Sequence, residues 1–175
     1  LPDASLRADA DAGRLADPQR LAEHARRMLR DEKARRLAAE YFGQWLGFYR
    51  FDSYQGIDTG RYPEFSERLK ADLHDEAVCF FEHIVREDRP VDEILFADYA
   101  FLNGRLARHY QFDLELPDDD FTRVEGVSRN HRGGLLGLGA ILTVTSAPLR
   151  TSAVKRGDWV LRRVVGTPVP PPPAD

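Results

Sequence analysis

The sequence predicts a mainly α protein, an irregular multi-helix bundle with little or no β structure and a proline-rich C-terminal tail. Three observations predict it. Apolar residues recur every three to four positions over most of the chain. Asp, Ser and Asn stand where helices should start, and glycine where they should stop. A single short stretch has strand character. The 175 residues, 42% hydrophobic and 31% charged, suit one compact domain or one with a small satellite. That composition excludes collagen-like, disulfide-scaffold and wholly disordered classes. A net charge of −4 argues against a dedicated nucleic-acid binder.

The elements follow in order. Residues 3–12 can form a short helix closed by Gly13. Asp17-Pro18 starts the next, over 18–30, with Leu21, Ala25, Met28 and Leu29 on one face. A third helix is expected over 32–46, where Leu37, Ala38, Tyr41, Phe42, Trp45 and Leu46 give a stripe wide enough to face two neighbours, and Gly47 begins the exit. Residues 50–62, with Gly56 and Gly60, read as a loop. Pro63 precedes the longest helix, 64–86, and short helices are expected over 91–96 and 103–110, the latter capped by Asn103. The acidic run 111–120 is an exposed connection, and 121–127 is the strand-like stretch. Ser152 caps a last helix that runs to Val165 and stops at Gly166. The proline run after it is a polyproline II spacer by composition. This divides the chain into a helical domain (1–120), a C-terminal helical part (121–166) and a proline-rich linker (167–175).

No apolar run reaches the roughly 20 residues needed to span a bilayer, so no membrane span is expected. The longest, residues 133–144, contains four glycines and reads as a buried helix or strand. The chain opens at Leu1-Pro2 without a signal-peptide pattern and stops inside a proline run, so it is expected to be a piece of a longer protein.

Little of the chemistry stands out. The five histidines fall outside any HExxH, CxxCH or phosphate-loop pattern. Glu76, Cys79 and His83 share a helical face but lack a second element to complete a metal site. The plainer expectation is a core cysteine flanked by border residues. The glycines of 133–139 follow no strand, so in place of a dinucleotide loop Gly133 and Gly134 are expected to make a tight entry to a buried helix, and Gly137 and Gly139 to let it approach a neighbour closely. Ser146, Thr151 and Ser152 form no nucleophile elbow. From Arg123 to Arg163 the chain is locally basic: Arg129, Arg132, Arg150, Lys155, Arg156 and Arg162 also contribute, against only Glu125 and Asp158. Such a surface can hold carboxylates, phosphates or a sulfated glycan, with Arg132, Arg162 and Arg163 as anion contacts.

Several blocks together resemble one family. They are Arg26-Arg27-Met28-Leu29 with Asp31, then Phe42-Gly43-Gln44-Trp45-Leu46-Gly47, Asn103-Gly104-Arg105-Leu106-Ala107-Arg108-His109-Tyr110, Arg132-Gly133-Gly134-Leu135-Leu136, Thr145-Ser146, and Arg150 through Leu161 leading to the prolines. The family is the planctomycete-type domains of unknown function (PSD/PSCyt type) found in large multi-domain exported c-type cytochromes. Ala153 departs from it, standing where proline is common. The resemblance implies a periplasmic or extracellular location and no cofactor in this chain. It places haem c in a downstream domain of the same protein, with a redox partner beyond. The chain is then a non-catalytic helical scaffold that docks that haem segment. Arg150, Lys155 and Arg156 are the expected haem-propionate contacts, with Met28 and His131 as remoter axial-ligand candidates. Two alternatives stay open. One is part of the substrate cleft of an extracellular oxidoreductase acting on a glycan or other organic substrate, with loop 50–62 as contact surface. The other is a module binding an anionic polymer or protein.

Overall fold

The computed structural model describes residues 2–167 and 169–170. It opens with α1 (Ala4–Asp11), whose cap Asp3 accepts from the Leu6 N–H at 2.9 Å. Then comes α2 (Pro18–Leu29), capped by Asp17 with proline in its first turn. Neither helix encloses an apolar side chain, since their only buried residues are Asp9 and His24.

The expected helix over 32–46 is helical but not uniform. A 3₁₀ turn (Glu32–Ala34) leads into a π-helical stretch (Leu37–Phe42), which closes as α3 (Gly43–Leu46). Gly47, at φ 86°, turns the chain outward, a conformation that favours glycine. The long helix α4 (Glu67–Arg86) starts three residues later than Pro63 suggests. Ser66 is its cap, the hydroxyl accepting from the Leu69 N–H at 3.2 Å.

After α5 (Glu93–Phe96), strand β1 (Tyr99–Leu102) leads into α6 (Gly104–His109), capped by Asn103 as expected. The strand-like stretch forms β2 (Thr122–Glu125). It pairs antiparallel with β1, Tyr99 opposite Glu125 and Leu102 opposite Thr122. Residues 133–144 become a 3₁₀ turn (Leu135–Gly137) and the buried helix α7 (Gly139–Val144). Finally α8 (Ala153–Trp159), capped by Ser152, continues as a π-helical stretch (Val160–Val165) to Gly166 at φ 76°. Residues 168 and 171–175, the bulk of the expected tail, lie outside the described residues.

Helix α4 is the axis of the fold, touching the π-helical stretch before α3, β1, α6 and α7. Phe81 stacks on Phe42 at 4.2 Å between centroids, and Phe48 lies parallel to it at 6.0 Å. The buried cluster spans the chain from Ala38 to Ile141, taking in Val127, Leu135 and Leu138 from beyond residue 120. The architecture is mainly α with one two-stranded sheet. Among the described residues no helix is long and apolar enough to cross a membrane.

Candidate functional site

The N-terminal end of α4, the C-terminal end of α6 and the turn between α7 and α8 enclose a cleft of about 490 Å³. Loop 50–62 forms one wall with Ile57 and Tyr62. Its closure is local chemistry: the Tyr62 hydroxyl donates to the Leu149 carbonyl at 2.9 Å, and the Asp58 N–H donates to the Pro148 carbonyl at 3.5 Å. Phe65, Leu69 and Leu142 supply the apolar floor.

Arg150 and Arg156 reach this cleft from the opposite wall. The backbone of Arg150 is pinned, because its carbonyl accepts from the Ala147 N–H at 2.9 Å. Its guanidinium makes no hydrogen bond among the described residues. Arg156 lies over the C-terminal end of α7, where Nε donates to Thr145 Oγ1 at 3.2 Å and Nη2 to the Leu142 carbonyl at 3.5 Å. Lys155 points to the other side and donates to the Ser146 carbonyl at 2.9 Å. Arg156 therefore serves a carbonyl in the last turn of α7, and Lys155 one just beyond the helix. Among the described residues none of the three has a carboxylate within 4.0 Å.

Glu64 and His109 border the same cleft and also a smaller groove beside Arg68 and Asp72, which places them at the end nearest that groove. Burial, with Arg132 as a second cause, pushes the His109 imidazole below its usual 6.5, so it is neutral at pH 7. The cleft thus carries two guanidiniums against one carboxylate.

A second groove of about 280 Å³ is lined by Lys155, Asp158, Trp159, Arg162 and Arg163 together with the end of α7. Two indoles fix its position. Trp159 Nε1 donates to the Leu46 carbonyl at 2.8 Å, and Trp45 Nε1 donates to the Arg163 carbonyl at 2.8 Å. Arg162 pairs with Asp158 at 2.7 Å, while Leu161 and Val165 on the same stretch are exposed.

The other expected residues are scattered. Met28 is exposed on α2, and the 230 Å³ groove between α2 and α4 is lined by Leu29 and Ala25 but not by Met28. His131 is exposed in the left-handed region at φ 58°. Arg132 has an internal role: it stacks over the Tyr110 ring at 3.7 Å and donates to the Gly137 carbonyl at 3.1 Å.

Glu76 corrects an expectation, because it is fully enclosed and does not sit at the solvent border. Its Oε2 accepts from the Tyr110 hydroxyl at 2.8 Å and from the Gly139 N–H at 3.0 Å. Cys79 is half-buried and accepts from Arg35 at 3.5 Å. His83 Nε2 is buried without a hydrogen bond, its ring set between Tyr99 and Phe101. Among the described residues these three form no metal-holding group. Gly133 and Gly134, at φ 97° and 58°, pass so close to the Ala97 and Leu95 carbonyls that a Cβ would collide. A tight entry to the buried helix is what the sequence predicts of them; the close approach expected of Gly139 is seen where a Cβ would collide with Leu73 and Tyr110.

Glu64 and His109 escaped the sequence reading. His109 lies in the block that runs from Asn103 to Tyr110, yet nothing in its spacing shows that α6 brings it to the cleft beside α7. Ser146 is consumed by the helix, its hydroxyl donating to the Leu142 carbonyl at 2.7 Å.

The chain matches PSD4, described as a protein of unknown function (DUF1592), over residues 1–112. It matches PSCyt3, likewise a protein of unknown function (DUF1588), over residues 132–175. No curated protein and no solved structure matches it. The cleft takes Ile57, Glu64 and His109 from the first stretch and Arg150 and Arg156 from the second. Since the first match covers well over half of the sequence, the chain belongs to the PSD4 family of planctomycete-type proteins of unknown function and carries a PSCyt3 segment behind it.

Proposed function

We propose that the chain is a helical scaffold of an exported multi-domain c-type cytochrome and docks a haem-bearing domain of the same protein. The cytochrome association in the PSCyt family name supports the identity of the partner. The observation that carries the docking role is the interlock of Trp45 and Trp159. It holds a basic groove (Lys155, Arg162, Arg163) in place beside exposed Leu161 and Val165. Fixed cations next to apolar surface suit a partner that offers a haem edge with its carboxylates.

This chain's own residues do not fit a resident haem c. It has one cysteine, where covalent attachment uses two, and that thiol lies against Arg35. Met28 and His131 stand on separate elements. Haem in the partner would supply one-electron chemistry. The residues here would orient it, with Lys155 the member of the expected propionate trio that faces the groove and Arg150 and Arg156 lining the neighbouring cleft.

The test is a titration of the haem-bearing domain with this chain at low and moderate salt. Replacing Arg162 and Arg163 with Glu should weaken binding at least about tenfold and flatten its salt dependence. Unchanged affinity and salt slope would overturn the reading. The oxidoreductase-cleft alternative keeps one specific support, that loop 50–62 lines the cleft through Ile57 and Tyr62. Turnover of an organic substrate by the haem-containing protein, abolished by changes at Tyr62 but not at Arg162, would favour it.

A further inference from the structure

The cleft between α4, α6 and the α7–α8 turn has features that docking a protein partner does not use. Its volume, about 490 Å³, falls in the range of small-molecule sites. Its floor is apolar and its polar groups gather at two ends. Arg150, Arg156 and Thr151 come from the α7–α8 side, while Glu64 and His109 stand where the cleft meets the groove beside Asp72. The Arg150 guanidinium has neither a carboxylate nor a hydrogen bond among the described residues, although its backbone is held in place. An unpaired guanidinium lining the same cleft as a second one offers the pair of donors that a carboxylate takes.

We infer that this cleft is a binding site for a free aromatic hydroxy acid, with its carboxylate on Arg150 and Arg156, its ring on the floor of Phe65, Leu69 and Leu142, and its hydroxyl at Glu64 and His109. Charge selects the class. Two guanidiniums against one carboxylate leave a single positive charge, which one carboxylate neutralises and a dianionic phosphate would overshoot. A neutral imidazole and a carboxylate both accept a hydrogen bond from a phenol, so a ring hydroxyl gains a partner at the far end. The wall formed by Ile57 and Tyr62 covers the ring from the solvent side.

The test titrates the full chain by NMR or calorimetry with 3-(4-hydroxyphenyl)propionate, 3-phenylpropionate and 3-phenylpropionamide. Saturable one-to-one binding is expected in the order hydroxy acid, plain acid, amide, with the amide weaker than the plain acid by about tenfold or more. Arg150→Gln, which removes no side-chain hydrogen bond or ion pair among the described residues, should reduce both acids to the level of the amide. Arg156 also steadies α7, so Arg156→Lys is the gentler variant there and should weaken both acids while the far-ultraviolet spectrum stays the same. His109→Phe should erase the preference for the hydroxyl and leave 3-phenylpropionate bound. Amide binding equal to acid binding, an indifferent Arg150→Gln variant, or no saturable binding of either acid would each overturn the assignment. The Arg162/Arg163 double variant should bind both acids normally, which separates this site from the docking face.

Discussion

Glu76 is an enclosed carboxyl, 1% exposed. Burial raises its carboxyl to about 7, against the ordinary 4.5, and the hydrogen bonds from Gly139 and Tyr110 and the nearby Arg132 only partly offset that. Below pH 4.5 the carboxyl is protonated in both folded and unfolded chains and contributes no difference. Between 4.5 and 7 the unfolded chain releases the proton and the native one keeps it, so stability falls as pH rises. Above 7 the penalty is constant, at roughly 3 kcal/mol for a shift of this size. Glu76→Gln keeps an oxygen for Tyr110 and Gly139 and removes the titration. Denaturant unfolding of both proteins should therefore show the variant gaining on the parent by roughly 3 kcal/mol between pH 4.5 and 8. A difference that does not change with pH would refute this. His83 works with the opposite sign: burial lowers its imidazole below 6.5, so its neutral form favours the fold above that pH and the advantage is lost in acid. The burial of Glu76 could not be read from the sequence, whereas His83 is partly buried, in keeping with the border position expected of it. A Glu at helical spacing on a long amphipathic stretch looks like border, and only the approach of α7, permitted by Gly139, encloses it.

At the scale of elements, the C-terminal helix is held by reciprocal indole donors. The Leu46 carbonyl, at the end of α3, has no partner within its own helix and takes the Trp159 N–H instead, while Trp45 reaches the Arg163 carbonyl in the π-helical stretch. Trp159→Phe keeps the ring and strands the carbonyl, at a cost of about 1–2 kcal/mol. Trp45→Phe should cost a similar amount. The double variant should cost less than the sum, because loss of either bond already loosens the same segment. Urea midpoints and proteolysis between residues 160 and 166 measure both effects, and strictly additive losses would show that the two bonds act separately. The helices themselves were legible because each carries its own signal: Asp17-Pro18, the Asn103 cap, the Ser152 cap and the glycines at 13, 47 and 166. Strand β1 was not, since Tyr99-Ala100-Phe101-Leu102 is four apolar residues long and gains its identity only from β2, some twenty positions later. The start of α4 shifted for a similar reason, as Pro63 and Ser66 are both sound starts and the chain around Tyr62 decides between them. In the cleft, Arg150 and Arg156 stood out as basic residues in a locally basic segment, but their convergence with Glu64 and His109 is a product of packing across α4, α6 and α7.

For the molecule as a whole, the enclosed hydrophobic cluster begins at Ala38. The helices α1 and α2 lie outside it and are joined to each other by a cluster of polar contacts. Asp9 collects Arg14 Nε at 2.9 Å, Arg20 Nε at 2.8 Å and His24 Nε2 at 2.8 Å. Arg27 donates to His24 Nδ1 at 3.0 Å, so His24 presents Nε2–H to the carboxylate, and Arg27 also pairs with Asp3. His24 first, then Arg14, hold the Asp9 carboxyl far below its ordinary value. Such a cluster specifies how α1 sits on α2, but its cations are about half-exposed and salt weakens it, whereas a core of stacked phenylalanines is indifferent to salt. The two parts should therefore open independently. In hydrogen exchange, amides of α1 and α2 should exchange at least about tenfold faster than those of α4, and faster still in 1 M salt, with α4 unchanged. Asp9→Asn should mimic the effect of salt on the first thirty residues and leave the aromatic core and the cleft intact. Protection of α1 and α2 equal to that of α4, or a loss in Asp9→Asn that spreads into α4, would mean that this charged hairpin is part of the same cooperative unit as the core.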